Sequence, residues 1–193
     1  MSVAIIAGGK SRRFGSPKAM AEFRGKRLID HALSLAKQLS DKVFVCCGPS
    51  PLPLDASTSQ LPDLIPDCGP LGGLHAAMQA CETKWLAIMP CDMPLLTANI
   101  YKKLFENCDT EKPIVAVSQS GLQPLVSVWP HNQKKNVYEQ LKQKNFSIQE
   151  ALRITKARKI AVSAGHDDQA FHNINTREDL QNLFQLPPFN DFS

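Results

Sequence analysis

Val3-Ala4-Ile5-Ile6-Ala7-Gly8-Gly9-Lys10-Ser11-Arg12-Arg13-Phe14-Gly15-Ser16-Pro17-Lys18 opens the chain with an unbroken apolar run that stops at a glycine pair and passes into a basic loop. Apolar, β-branched residues without polar alternation are the pattern of a strand buried on both faces, the condition of a strand inside a parallel sheet. Glycines at its carboxyl end let backbone N–H groups approach phosphate oxygens, and Arg13 and Lys18 can neutralise the charge of those oxygens. The loop does not close on Gly-Lys-Ser/Thr in the Walker A manner, and it lacks the Gly-x-Gly-x-x-Gly dinucleotide fingerprint. A merely solvated basic turn competes with a phosphate site. Its position favours the phosphate site, because open α/β sheets bind ligands beyond the carboxyl ends of their strands.

Working outward, Leu28, Ile29, Ala32, Leu33, Ala36 and Leu39 recur at helical spacing, and Val43 to Cys47 returns as a second buried strand, which completes a βαβ unit. Gly48 to Pro62 carries four prolines among serines and threonines and reads as a surface loop. Leu64 to Asp67 reads as a short strand end, Pro70 to Ala80 as a helix, and Trp85 to Met89 as a third strong strand cut off by Pro90. Thr97 is placed to cap a helix through Leu104, and Ile114 to Val117 with Leu125 to Val128 flank a turn at Ser120-Gly121, as in a hairpin. Helical patterns follow at Asn136 to Leu141 and Ser147 to Leu152, then a strand at Lys159 to Val162 and a last helix capped at Asn175 or Thr176. This alternation predicts an α/β fold with a mostly parallel sheet.

At 193 residues with 43% hydrophobic content, the chain is long enough for one substantial core, so a single domain over residues 1–193 is expected. The net charge of +4 comes from basic residues spread along the chain, which favours small anionic ligands over a nucleic-acid groove. Six cysteines form no Cys-x-x-Cys pair and suit buried, reduced thiols. The short apolar start before Lys10 is too brief for a signal peptide, and no window is long enough to span a membrane, so a cytoplasmic setting is expected.

Three further constellations carry chemistry. Asp92, in Pro90-Cys91-Asp92-Met93-Pro94, ends the third strong strand on the same edge as the glycine loop, and is a candidate ligand for Mg²⁺ held mostly by phosphates and water. Taken alone, a turn or capping aspartate explains it equally well. Asp67, before Gly69-Pro70-Leu71-Gly72-Gly73-Leu74, is placed to accept from a base or ribose, with glycines making room for a planar ring; close strand-to-helix packing explains those glycines nearly as well. In Asn173-Ile174-Asn175-Thr176 two amides alternate on one face before a helix, one of them beyond the needs of a cap. The five histidines show no metal-ligand spacing and receive no role.

These four motifs, in this order, resemble the molybdenum cofactor guanylyltransferases, over about Val3 to Phe184. The resemblance implies a Rossmann-like, three-layer α/β/α nucleotidyltransferase fold. It also implies a reaction in which GMP passes from GTP to the terminal phosphate of molybdopterin, with or without molybdenum, and pyrophosphate leaves. By that likeness Ile6, Ala7, Gly8 and Gly9 line the nucleotide site, Lys18 contacts phosphate, Asp67 contacts the nucleotide, Asp92 holds Mg²⁺, and Asn173 and Asn175 lie on the pterin side. Arg13, Lys18 and Asp92 would carry catalysis. Protein contacts, where they occur, would be with other cofactor-biosynthesis proteins or molybdoenzyme chaperones. Related cytidylyltransferases carry Ala-Ala-Gly where this chain has Ala7-Gly8-Gly9, so Gly8 is expected to leave room for a purine. Departures from the family pattern fall at Phe14, Pro17, Arg27 and Cys46.

A phosphate monoester is already anionic at neutral pH, so its attack on an α-phosphorus needs alignment and charge neutralisation rather than a general base. The alternatives are a CTP-dependent enzyme, a sugar-phosphate or cobinamide-phosphate nucleotidyltransferase on the same fold, and a non-catalytic GTP-binding regulator.

Overall fold

The computed structural model describes residues 1–8, 17–109, 111–162 and 165–185. The opening apolar run is strand β1, Ser2–Ile6, and every one of its residues is buried. Val3 and Ile5 face one layer while Ala4 and Ile6 face the other, so the period of two divides the same strand between two separate cores. A short hairpin, β2 (Glu22–Phe23) and β3 (Lys26–Arg27), precedes helix α1, Leu28–Leu39, whose buried stripe is Leu28, Ile29, Ala32, Leu35 and Ala36. Arg27 stands at the start of this helix and its guanidinium takes both carboxylate oxygens of Asp30 in the first turn, at 2.6 and 2.7 Å.

Strand β4, Val43–Gly48, pairs in parallel with β1, and β5, Ser59–Pro62, pairs in parallel with β4 at the sheet edge. The stretch expected to be loop therefore contains a strand. Leu64 to Asp67, expected to end a strand, instead forms bends and a turn, with Asp67 in the left-handed region at φ 59°. Helix α2, Gly69–Ala80, then leads to β6, Trp85–Pro90, and α3, Ala98–Phe105. Thr97 holds the N-cap position of α3 but its hydroxyl caps nothing. Strands β7, Ile114–Ser118, and β8, Gly121–Pro130, form the expected hairpin. Helices α4 (Lys134–Lys142) and α5 (Ile148–Ile154), strand β9 (Arg158–Ala161) and helix α6 (Arg177–Phe184) complete the elements.

Apart from the β2–β3 hairpin, the strands form one seven-stranded sheet in the order β5-β4-β1-β6-β8-β7-β9. Only β8 runs against the rest, because it pairs antiparallel with both β6 and β7 while the other pairings are parallel. Helices α1 and α3 cover one face and α2, α4 and α5 the other, giving three layers. The glycines of α2 set how closely that helix lies on the sheet: a Cβ on Gly73 would stand 3.0 Å from Ile6 Cδ1 and 3.1 Å from Cys46 Cβ. A small third core joins Phe23 of the hairpin and Leu28 to Ile174 and Leu183, which anchors α6 beside the carboxyl ends of the strands. Among the described residues, no helix is long and apolar enough to cross a membrane.

Candidate active site

The carboxyl ends of β1, β4, β5 and β6 meet at one edge, and β8 begins there because it runs the other way. Asp92 follows β6. Its neighbour Cys91 donates its backbone N–H to the Ile6 carbonyl at 3.2 Å, which ties the Asp92 turn to the end of β1. Lys18 opens a 3-10 turn over Lys18–Met20, and its ammonium donates to Asp92 Oδ2 at 2.5 Å and to Asn175 Oδ1 at 2.8 Å. Three segments far apart in sequence thus converge on one ammonium.

The segment carrying Asn175 is fixed twice. The Ile174 N–H donates to the Asp92 carbonyl at 2.9 Å, and the Asp179 carboxylate accepts from the N–H groups of Asn175 and Thr176 at 2.7 and 2.8 Å. Thr176 returns the favour by accepting from the Asp179 N–H, so Thr176, not Asn175, caps α6, and the capping box is complete. Burial works against the Asp179 charge, but the two N–H groups, the Thr176 hydroxyl and the nearby Lys18 ammonium outweigh it and hold the carboxyl below its ordinary value.

Two clefts flank this junction. The first, about 470 Å³, lies over the ends of β1 and β4 and is lined by Ile6, Gly8, Cys46, Gly48, Asp63 and Asp67 among others. Ile6, Gly8 and Asp67, three residues expected at a nucleotide site, thus line one cleft. Ala7, between Ile6 and Gly8, is partly buried and packs against the core of the opposite layer. Gly9 and Arg13 lie outside the described residues. The second cleft, about 520 Å³, takes in Met93 and Asn173 and lies on the β8 side of Asp92. Asn173 and Asn175 are thus separated in role, one lining a cleft and the other holding Lys18.

Gly8 and Asp63 add to this geometry. Gly8 was expected to leave room for a purine, and a Cβ there would stand 2.7 Å from Gly48 N and 2.9 Å from Gly48 Cα. Contact with the backbone of β4 is thus a second reason for glycine here, beside pocket width. Asp63 was passed over entirely. It follows β5 directly, donates its N–H to the Gly48 carbonyl at 3.0 Å, and lines the first cleft. Burial, then the neighbouring Asp67 charge, raises its carboxyl above the usual value. Cys46 on the same wall donates its thiol to the Gly73 carbonyl at 3.2 Å, and burial, with Asp63 and Cys47 adding to it, pushes that thiol up to about 12.

Among the described residues, no three His, Cys, Asp or Glu side chains gather as a metal cluster. Asp92 offers one carboxylate, with Oδ1 free of described partners. A single carboxylate suits a hard divalent ion whose other ligands are phosphate oxygens and water.

Residues 3–161 match the family model of the MobA-like NTP transferase domain. The chain belongs to that family. Among the relatives of this MobA-like transferase, a probable molybdenum cofactor guanylyltransferase of Geobacillus sp. (strain WCH70) is 26% identical over 95% of this chain and 97% of its own length. Another, from Bacillus cereus (strain AH187), is 31% identical over 91% of each chain. The crystal structure of molybdopterin-guanine dinucleotide biosynthesis protein A from Archaeoglobus fulgidus superposes with a TM-score of 0.77 at 20% identity, covering 95% of this chain and 96% of that one. That likeness establishes the fold. MobA-like membership makes the protein a nucleotidyltransferase.

Proposed function

We propose that the protein transfers GMP from GTP to the terminal phosphate of molybdopterin, with or without bound molybdenum, and releases pyrophosphate. The observation that carries this reading is the convergence of Lys18, Asp92 and Asn175 between two clefts at the carboxyl edge of the sheet. One cleft is assigned to the nucleoside, the other to the acceptor, and both to a single domain spanning residues 1–193. The relatives described as molybdenum cofactor guanylyltransferases support the choice of nucleotide and acceptor.

In this reading Ile6, Gly8, Asp63 and Asp67 surround the base and ribose, which directs the triphosphate toward Asp92 and Lys18. Gly9 and Arg13 belong to the phosphate loop by sequence. Asp92 would hold Mg²⁺, which when bound supplies Lewis-acid neutralisation of the phosphate oxygens. An oxygen of the acceptor phosphate forms the new bond to the α-phosphorus, and the bond from that phosphorus to the bridging oxygen of pyrophosphate breaks with its electron pair. Lys18 supplies positive charge where negative charge builds up, and Asn175 orients its ammonium. No general base is required, since the attacking group is already an anion. The reaction is placed in a reducing cytoplasm, in keeping with cysteines that are all unpaired.

The test is pyrophosphate release from GTP and from CTP, with Mg²⁺, with and without purified molybdopterin. Release that requires GTP and molybdopterin together, with a guanine dinucleotide as product, is expected. Preference for CTP would move the protein to cytidylyl transfer, and release with a sugar phosphate in place of molybdopterin would replace the acceptor. Binding of GTP with no pyrophosphate release under any condition would make it a regulator.

A further inference from the structure

The second cleft is lined by apolar side chains, Met93, Leu122, Leu125 and Phe171, together with polar ones that include Gln123 and Asp168 beside Ser120, His172 and Asn173. Its shape originates in β8. Val115 pairs with Ser127, but the next residue of β7, Ala116, pairs with Gln123, so residues 124–126 bulge out of the ladder. Pro124 has no N–H to lose there, and the Ser127 hydroxyl donates to its carbonyl at 2.9 Å. Bulges beside active sites re-aim side chains, and this one stands two strands from β1.

Both polar groups are held in place from one side. Gln123 is only 9% exposed, and its amide nitrogen donates to the hydroxyls of Ser118 and Ser120 at 2.9 and 3.2 Å. Its amide oxygen takes no hydrogen bond among the described residues. Asp168 Oδ1 accepts from the Gln119 N–H at 2.8 Å, which fixes the carboxylate on the hairpin tip, while Oδ2 has no partner among the described residues. An amide oxygen and a carboxylate oxygen, each fixed through bonds to the hairpin tip and lining one cleft together with apolar side chains, suit a flat ligand that brings N–H donors.

We propose that this cleft takes the pterin ring of the acceptor, with Asp168 and Gln123 accepting from the donors of its 2-amino-4-oxopyrimidine edge. That edge presents a ring N–H beside an exocyclic amino group, the arrangement a carboxylate oxygen and an amide oxygen can share. The apolar side chains cover the ring faces. Met93, next to Asp92, and Asn173, next to the Ile174 N–H that bonds Asp92, put the mouth of the cleft beside the phosphate-handling junction. The inference rests on the guanylyl-transfer reading and adds to it the residues that identify the acceptor.

Asp168→Asn keeps an oxygen for the Gln119 N–H, so the hairpin tip is retained while a charge-assisted contact is lost. Gln123→Leu removes the amide oxygen. Each variant is expected to raise KM for molybdopterin about ten- to a hundredfold, as for the loss of hydrogen bonds to a charged or buried partner, with KM for GTP unchanged. As competing inhibitors, free pterin should bind the unaltered protein better than lumazine, which carries a carbonyl in place of the 2-amino group, and Asp168→Asn should narrow that preference. Guanylyl transfer by the unaltered protein with an unchanged molybdopterin KM in both variants overturns the subsite alone, as does equal inhibition by pterin and lumazine. Failure of the unaltered protein to transfer GMP to molybdopterin overturns the functional reading, and the subsite with it.

Discussion

The Lys18 ammonium donates to Asp92 Oδ2 at 2.5 Å across 74 residues of sequence, and both side chains keep about a fifth of their surface exposed. A salt bridge this accessible adds little to stability. Its value lies in placement: it holds a cation and a carboxylate side by side at the sheet edge, where in the proposed reaction a triphosphate and its metal would both find partners.

Lys18→Ala should therefore separate activity from stability. Loss of a charge aimed at a developing oxyanion is expected to lower the rate of GMP transfer about 10²–10³-fold. Unfolding should shift by no more than about 1 kcal/mol, as for a screened pair. Single-turnover transfer and thermal unfolding on the same preparation measure both. A variant with full activity would remove Lys18 from the chemistry.

Gly8→Ala tests whether backbone packing or pocket width demands the glycine. The added methyl would meet Gly48 N at 2.7 Å and Gly48 Cα at 2.9 Å, so β1 and β4 must separate at their carboxyl ends. The expected cost is about 1–3 kcal/mol, the range for overpacking, read from the urea midpoint. A variant as stable as the original that simply exchanged GTP for CTP would leave pocket width as the reason.

Much of this was legible in the sequence because the residues that set the fold are also those with strong patterns. The run from Val3 to Ala7, the spacing from Leu28 to Leu39 and the Ser120-Gly121 turn are local signals, and each became the expected element. Asp92 was legible for the same reason, as a carboxylate at a strand end. Strand β5 was not, because Ser59-Gln60-Leu61-Pro62 is a half-exposed edge strand without β-branched residues, held by pairing with β4. Missing that strand meant missing Asp63, which gains its meaning only from following it. The partners of Asn175 and Asp168 are long-range, and no local pattern reports that a side chain 157 residues away will accept from Lys18.

Asp63 should show opposite effects on stability and function. Because burial and Asp67 raise its carboxyl, the charged form is disfavoured by folding, and its penalty is present at neutral pH and relieved as pH falls through the raised value. Asp63→Asn is expected to leave thermal stability equal or higher at neutral pH while weakening GTP binding about tenfold, as for loss of a charge-assisted hydrogen bond. Isothermal titration with a non-hydrolysable GTP analogue, beside a thermal melt, decides it. Unchanged affinity would take Asp63 out of the nucleotide site.

Asp179 carries the last prediction, since it holds the N–H groups of Asn175 and Thr176 and so presents Asn175 to Lys18. Its folded carboxyl is lowered, so its stabilising contribution is fully present above the unfolded value and lost as pH falls through the folded one. Asp179→Asn should cost about 1 kcal/mol near neutral pH, the usual scale of a helix cap, and that difference should shrink as the pH falls from neutral into the acid range through the lowered value of the folded carboxyl. Transfer should slow at the same time through misplacement of the Lys18 ammonium, with KM for GTP less affected than kcat. Denaturant unfolding of both proteins across this range tests the linkage: a stability difference that stayed constant to the acid end would mean that the Asp179 charge does not hold the turn, and that Asn175 is positioned by the Ile174–Asp92 backbone bond alone.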